Sequence, residues 1–495
     1  MKIRTFICLS IIIFLFLFNF FNLYSQTKED IDKFVELCKN GKLDQIKKEI
    51  VKFKDINFLS SEGLSPLMAA AGFNQDEQVV DFLLDKGALP EFKDNFGNIA
   101  LLYAAKYNKN ELVVQLLINR GSNVHWQNNY GQNALMLASR YNSNPQVIYI
   151  LIAKGARLDQ TNNDYFGMLP IMYAALNSNP QIIYIYIEKG INLNVKTYDE
   201  WTPLMFAAAY NSNSLVCEYL LQRGAKINEV NKDYMDALML AAKYNENSEV
   251  IKVLLKFEPD LSKKDLNGMN ALMHGAASNK NLEVVKILLK SKININEVDN
   301  KGYNAFHHAI KSNLNLDIIY YLLENGFKIS DLTFDKYNPL SIAARYRNEL
   351  DIFRFLLKNG DNINHKVKNG DTPLIIAIKY NNSKNVINFI IDNKANINEV
   401  NFEGQNALHI AVMNNLIEIV SILISKNIEL NQKDRYGQTP LIYAAKYGID
   451  WEIILLLLKF GANKDIKDSF GKTAYDYAKD NPYLSDNEEN LKKLR

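Results

Sequence analysis

Residues 202–228 read TPLMFAAAYNSNSLVCEYLLQRGAKIN, and this stretch decides the architecture. The Thr202 hydroxyl suits a helix start, where it accepts from an otherwise unpaired amide. Pro203 is tolerated at the first helical position because its missing N–H has no partner there anyway. Ala208 and Ala209 give the short helix a small-residue face that lets a neighbouring helix approach. Asn213 marks a second start, and LVCEYLL supplies the apolar face of a second helix. Gly224 ends it, as the residue that enters the left-handed conformation without strain.

The same pattern recurs along the chain. A Pro or Ala followed by an apolar residue stands at Pro66, Ala100, Ala134, Pro170, Pro203, Ala237, Ala271, Ala305, Pro339, Pro373, Ala407, Pro440 and Ala474, at spacings of 33 to 36 residues. Such a fixed period is the mark of a repeat architecture. Ser, Thr, Asn or Asp precedes the Pro/Ala in eleven of the thirteen places, Ile99 and Leu169 being the exceptions. Second helices carry apolar pairs such as Val113-Val114 with Leu116-Leu117, and eight of twelve end on Gly. A polar segment with a further Gly, three residues before the next Pro/Ala in ten of thirteen places, closes each unit as a hairpin-like finger. At the fingertips of Glu200, Tyr234 and Lys336 that Gly is missing, which predicts local strain.

On Thr202-Pro203-Leu204-Met205-Phe206-Ala207-Ala208, Thr439-Pro440-Leu441-Ile442-Tyr443-Ala444-Ala445 and Leu220-Leu221-Gln222-Arg223-Gly224-Ala225-Lys226-Ile227-Asn228, the chain resembles the ankyrin repeat family, over about residues 28 to 480. The resemblance implies an all-α solenoid of stacked helix-turn-helix units, about thirteen of them, forming one curved array. The His that usually follows the Thr-Pro-Leu survives only as His307 and His409; Met replaces it at 68, 136, 172, 205, 239 and 273. Residues 26–60 are expected to be a capping helix pair, 61–480 the array, and 481–495 a polar C-terminal tail.

Met1–Ser25 has a cationic start, Lys2 and Arg4, and an apolar run from Phe6 to Phe18. That layout predicts a signal peptide of an exported bacterial protein, periplasmic or extracellular. The alternative is an uncleaved anchor, because Phe6 to Tyr24 is just long enough to span a bilayer. The remainder carries 55 basic and 55 acidic side chains, a balance that argues against nucleic-acid binding. Asn is the most conspicuous excess, at 62 residues, as an AT-rich genome favours. Cys38 and Cys217 lie in apolar helical stretches with no metal-ligand spacing and are expected to be core thiols.

Catalytic signatures are absent from the sequence. Gly471-Lys472-Thr473 looks like part of a phosphate-binding loop, but Ile466 stands where the first Gly belongs, so a fingertip and helix start is expected there. His125 and His365 fall on fingers, and His274, His307, His308 and His409 on first helices, where structural hydrogen bonding is expected. No cofactor, metal or small-molecule substrate is implied.

One doublet exceeds what the fold needs. Lys106-Tyr107, Arg140-Tyr141, Lys243-Tyr244, Arg345-Tyr346, Lys379-Tyr380 and Lys446-Tyr447 end first helices, and Phe73 and Tyr210 fill the aromatic place in two more. Stacking would align them into a basic, aromatic ridge, broken at Leu176-Asn177, Ala277-Ser278, Lys311-Ser312 and Met413-Asn414 into two patches. By the resemblance, this part of the first helix lines the concave binding face, and Tyr and Arg suit binding hot spots. The expectation is a non-enzymatic scaffold that grips an acidic protein partner. The alternatives are that the doublets only pack and complement helix dipoles, and that the protein is an envelope-anchored spacer or an inhibitor of a periplasmic or extracellular enzyme.

Overall fold

The computed structural model describes residues 27–162 and 166–495, so the leader expected over Met1–Ser25 lies outside the described residues. The described chain divides into two compact units, one of residues up to 241 with 249–259, the other of 242–248 with 260–495. All regular elements among the described residues are helices. Each unit is a stretch of stacked helix-turn-helix repeats, built from pairs such as Pro203–Tyr210 with Ser214–Gln222 in the first and Pro339–Tyr346 with Leu350–Lys358 in the second.

The helix starts are where the sequence places them. All eleven polar residues before the Pro/Ala accept a hydrogen bond from the amide three residues on, at 2.9 to 3.4 Å. Ile99 and Leu169 give no side-chain cap bond. The substituted methionines are buried, and three of them do part of the work of the lost His. The Sδ atoms of Met68, Met172 and Met205 accept from the backbone N–H of Ser65, Leu169 and Thr202 at 3.4 to 3.5 Å. At His307 and His409 the imidazole Nδ1 takes that N–H instead, while Nε2 reaches a finger carbonyl, of Asp331 or Gln438, at 3.1 Å.

Stacking within each unit is fixed by an asparagine ladder. The buried Asn108 donates from Nδ2 to the carbonyls of Ala71 and Asn74, at 2.9 and 2.7 Å; Asn142 does the same to Ala105 and Asn108, and Asn177 to Ser139 and Asn142. Each Oδ1 accepts from the amide two residues on, which turns the chain into the second helix. In the second unit Asn279 and Asn313 repeat the arrangement. A second Asn two places later caps the second helix through Oδ1 and donates back to the preceding repeat, as Asn110 does to Gln75, Asn144 to Lys109 and Asn315 to Lys280. These rungs satisfy backbone carbonyls left over at helix C-termini.

Fingers are tied by backbone bonds from one to the next, such as Asn129 N–H to Phe96 O at 3.0 Å and Phe402 N–H to Asn369 O at 3.1 Å. The fingertips without Gly adopt the left-handed conformation all the same, with φ of 62° at Glu200, 63° at Tyr234 and 60° at Lys336. Cys38 and Cys217 are buried and unbridged, and burial pushes the Cys217 thiol up to about 12. The stretch expected as a polar tail, 481–495, includes a helix. Leu484, Leu491 and Leu494 are buried, the latter two on a helix, Glu488–Leu494, so apolar residues spaced among the charges give this end its own packed face.

Candidate functional site

In five repeats the first helix is tied to the preceding finger by a clasp. Asp94 uses Oδ1 to accept from Phe96 and Asn98 N–H, shaping the fingertip, and its Oδ2 accepts from the Tyr103 hydroxyl at 2.7 Å. Tyr443 with Asp434 and Tyr477 with Asp468 repeat this. His274 with Asp265 and His308 with Asp299 replace the phenol with an imidazole at 3.0 Å. Burial alone would push the Asp265 and Asp299 carboxyls up, but the imidazole and backbone donors hold both below the usual carboxylate range. Each clasp ties the first helix of its repeat to the finger before it; of the doublets, Lys106-Tyr107 and Lys446-Tyr447 stand on helices held in this way.

Along the doublets, cations and rings alternate. In the first unit Phe73 stacks on Tyr107 at 5.2 Å, Lys106 Nζ lies 4.7 Å from the Tyr107 centroid and 4.8 Å from that of Tyr141, and Arg140 lies 5.3 Å from Tyr141. Tyr210 stacks on Trp201, 6.0 Å away and nearly parallel. In the second unit Lys243 lies 4.9 Å from Tyr244. Lys311 is 5.2 Å from Tyr346, Arg345 is 5.3 Å from Tyr346 and 4.2 Å from Tyr380, and Lys379 is 5.4 Å from Tyr380. Lys446 stands over both Tyr447 and Tyr477. The break expected at Lys311-Ser312 is therefore bridged, since the Lys311 side chain reaches the next repeat's ring.

Residues outside the doublets complete these rows. Tyr337 accepts from Arg345 Nη1 at 3.2 Å, and Tyr303 lies 5.8 Å from Lys311 Nζ. Their signal in the sequence is an aromatic two places before the Pro/Ala, shared by Trp201, Tyr303 and Tyr337. A cleft of about 290 Å³ opens beside Lys106, walled by Phe96, Tyr103, Tyr107 and Tyr130 and floored by Leu102 and Leu137.

Some cations elsewhere are paired. On the fingers Lys196 pairs with Glu229, Lys366 with Glu399 and Arg435 with Glu403 at 2.6 to 2.9 Å, and on the outer helices Arg120 meets Asp85 and Lys426 meets Asp392. Among the described residues, Lys106, Arg140, Lys243, Lys311, Arg345 and Lys446 have no carboxylate within 4 Å; Lys379 alone of these doublet cations is paired, with buried Asp371 at 3.2 Å. The tyrosines 107, 141, 244, 346, 380 and 447 stay 41 to 50% exposed.

The other singled-out residues serve the fold. Lys472 pairs with Asp480, and Thr473 caps its helix through Asp476, so Gly471-Lys472-Thr473 is a fingertip and helix start. His365 reaches Lys336 O at 2.7 Å. Among the described residues no three His, Cys, Asp or Glu side chains group so as to hold a metal ion.

Models of ankyrin repeats in three copies match residues 34–125, 73–162, 135–231, 208–299, 238–333, 274–367 and 340–434, and a model of ankyrin repeats in many copies matches 422–478. Over 66 residues the chain is 39% identical to the transient receptor potential cation channel subfamily A member 1 of Homo sapiens; this spans 13% of the chain and 6% of that channel. The crystal structure of the human ASB11 ankyrin repeat domain is similar at 21% identity and a TM-score of 0.40, over 46% of this chain and 98% of that one. Ankyrin repeats are protein–protein interaction modules and generally non-enzymatic. With matched segments running without a gap from residue 34 to 478, the chain belongs to the ankyrin repeat family.

Proposed function

We propose that this chain is a non-enzymatic scaffold that grips a protein partner with an acidic surface through the inner helix ends, on the concave side of its ankyrin repeats. The observation that carries this is the row of doublet cations set against half-exposed tyrosine rings: among the described residues Lys106, Arg140, Lys243, Arg345 and Lys446 have no carboxylate within 4 Å, Lys379 being the exception. A cation over a ring at an exposed site gains about 0.5–1 kcal/mol, which keeps charge and ring together as one patch. The rings also hold the cations in place, which lowers the ordering cost of binding. Balanced charge elsewhere favours a protein over a nucleic acid.

Affinity capture with the full chain, against a chain carrying Tyr107→Ala, Tyr141→Ala, Tyr346→Ala and Tyr380→Ala, tests the assignment. Captured acidic proteins should be lost from the variant while its circular dichroism is unchanged. Undiminished capture by the folded variant would refute it. Export is part of the same proposal, resting on Lys2, Arg4 and the apolar run from Phe6 to Phe18; a mass lower by Met1–Ser25 supports a cleaved leader, and the intact mass supports an anchor.

A further inference from the structure

The cations of the second unit set a spacing as well as a charge, and the use of that spacing rests on the acidic-partner reading. Lys311 and Arg345 share the Tyr346 ring, and Arg345 and Lys379 share that of Tyr380, each within 5.5 Å of the centroid. The three cations lie on successive repeats, one layer of packed helices or about 8–10 Å apart, and the shared rings are consistent with that step. An extended chain rises about 3.3 Å per residue, so three residues cover one step.

We propose that this patch receives an extended acidic segment of another protein with carboxylates at every third position, the first meeting Lys311, the next Arg345 and the last Lys379. Arg345 is the anchor. Its Nη1 is already oriented by the Tyr337 hydroxyl, and a guanidinium offers a carboxylate two parallel donors. Lys379 is the weaker end because Asp371 already holds it. The hydroxyls of Tyr346 and Tyr380, half exposed between the cations, suit the free backbone carbonyls of an extended ligand. A helix has used its carbonyls internally and would advance only about 4.5 Å over three residues.

The test uses the full chain with Lys106→Gln and Arg140→Gln, which silence the first unit's row. Two fluorescent heptapeptides of glutamate and serine with the same composition are titrated by polarisation, one with Glu at positions 1, 4 and 7, the other with three consecutive Glu; oligouridylate is the third probe. The spaced peptide should bind at least fivefold tighter than its isomer and lose at least fivefold with Arg345→Gln, and also with Lys311→Gln, a second variant in case the first perturbs folding. Equal binding of the isomers, both lost with Arg345→Gln, overturns the spacing and leaves the acidic-partner reading standing. No binding of either peptide overturns both, and tighter binding of oligouridylate overturns the protein ligand.

Discussion

Arg347 donates from Nη1 to the carbonyl of Asn313 at 2.6 Å and to that of Ile310 at 3.2 Å, performing with a guanidinium what Asn313 performs with an amide on Ala276 and Asn279. Arg347 is 4% exposed and pairs with Glu349 at 2.9 Å. Two unlike side chains meet at one place because both present donors to the same pair of unpaired carbonyls. Arg347→Ala should cost about 1–3 kcal/mol, because it strands the buried carbonyls of Ile310 and Asn313, and Arg347→Asn should recover most of it. Urea unfolding of the two variants, compared with wild type, measures both.

Removing a rung elsewhere has a similar logic. Asn142→Ala deletes two donors and one acceptor in a buried site, and each stranded group costs about 1–3 kcal/mol. A loss of about 2–4 kcal/mol is expected, with hydrogen exchange quickening first in Ala134–Tyr141 and Pro145–Ala153. Exposed Asn123→Ala serves as the near-silent control.

Acid should loosen the second unit. Burial pushes the imidazoles of His307 and His409 down to about 4, against about 6.5 in the unfolded chain. A depressed folded-state value means the unfolded chain binds protons first. Their contribution is thus complete above about pH 6.5 and is lost as pH falls toward 4, by ~2 kcal/mol each between pH 7 and 5. His307→Met with His409→Met, the residue standing at the equivalent Met205, should flatten the fall in thermal midpoint.

Asp361 works in the opposite sense. Burial lifts its carboxyl to about 6, although it accepts from Leu340 N–H at 2.7 Å and from Asn338 Nδ2. A raised acid favours the folded state while protonated, so stability declines as pH rises from about 4 to 6. Asp361→Asn should remove that decline, read as a stability difference from wild type that grows between pH 4 and 7.

The strained fingertips offer a gain. Tyr234→Gly and Lys336→Gly relieve left-handed backbones at φ of 63° and 60°, an expected rise of roughly 0.5–1 kcal/mol. In the wild type, fingers around 200 to 236 should exchange amide hydrogens before those at Gly97 and Gly131; equal protection would contradict the strain.

The period, the helix starts and the left-handed fingertips were legible in the sequence because each depends on one residue and its immediate neighbours. Thr202 announces its helix in any context, and Gly97 its turn. The asparagine ladder was not legible as such: Asn108, Asn142 and Asn177 read as compositional excess because their partners lie 34 to 38 residues back, on carbonyls that carry no side-chain signature. The doublets were visible, but whether their cations were matched depends on carboxylates brought near only by folding. In the sequence Lys311 stands as a gap because its own neighbour is Ser312, whereas the ring it covers, Tyr346, belongs to the following repeat.

The ladder also has a direction. Asn108 reaches back to Ala71 and Asn74, and Asn142 to Ala105 and Asn108, so every amide finds its acceptors in chain that precedes it. During synthesis, each newly emerged repeat therefore meets a finished docking edge, and growth can proceed one layer at a time from the amino end. Truncation should be lopsided in what it bares: trimming layers from the carboxyl end leaves an edge of carbonyls, while trimming from the amino end leaves an edge of asparagine Nδ2 donors.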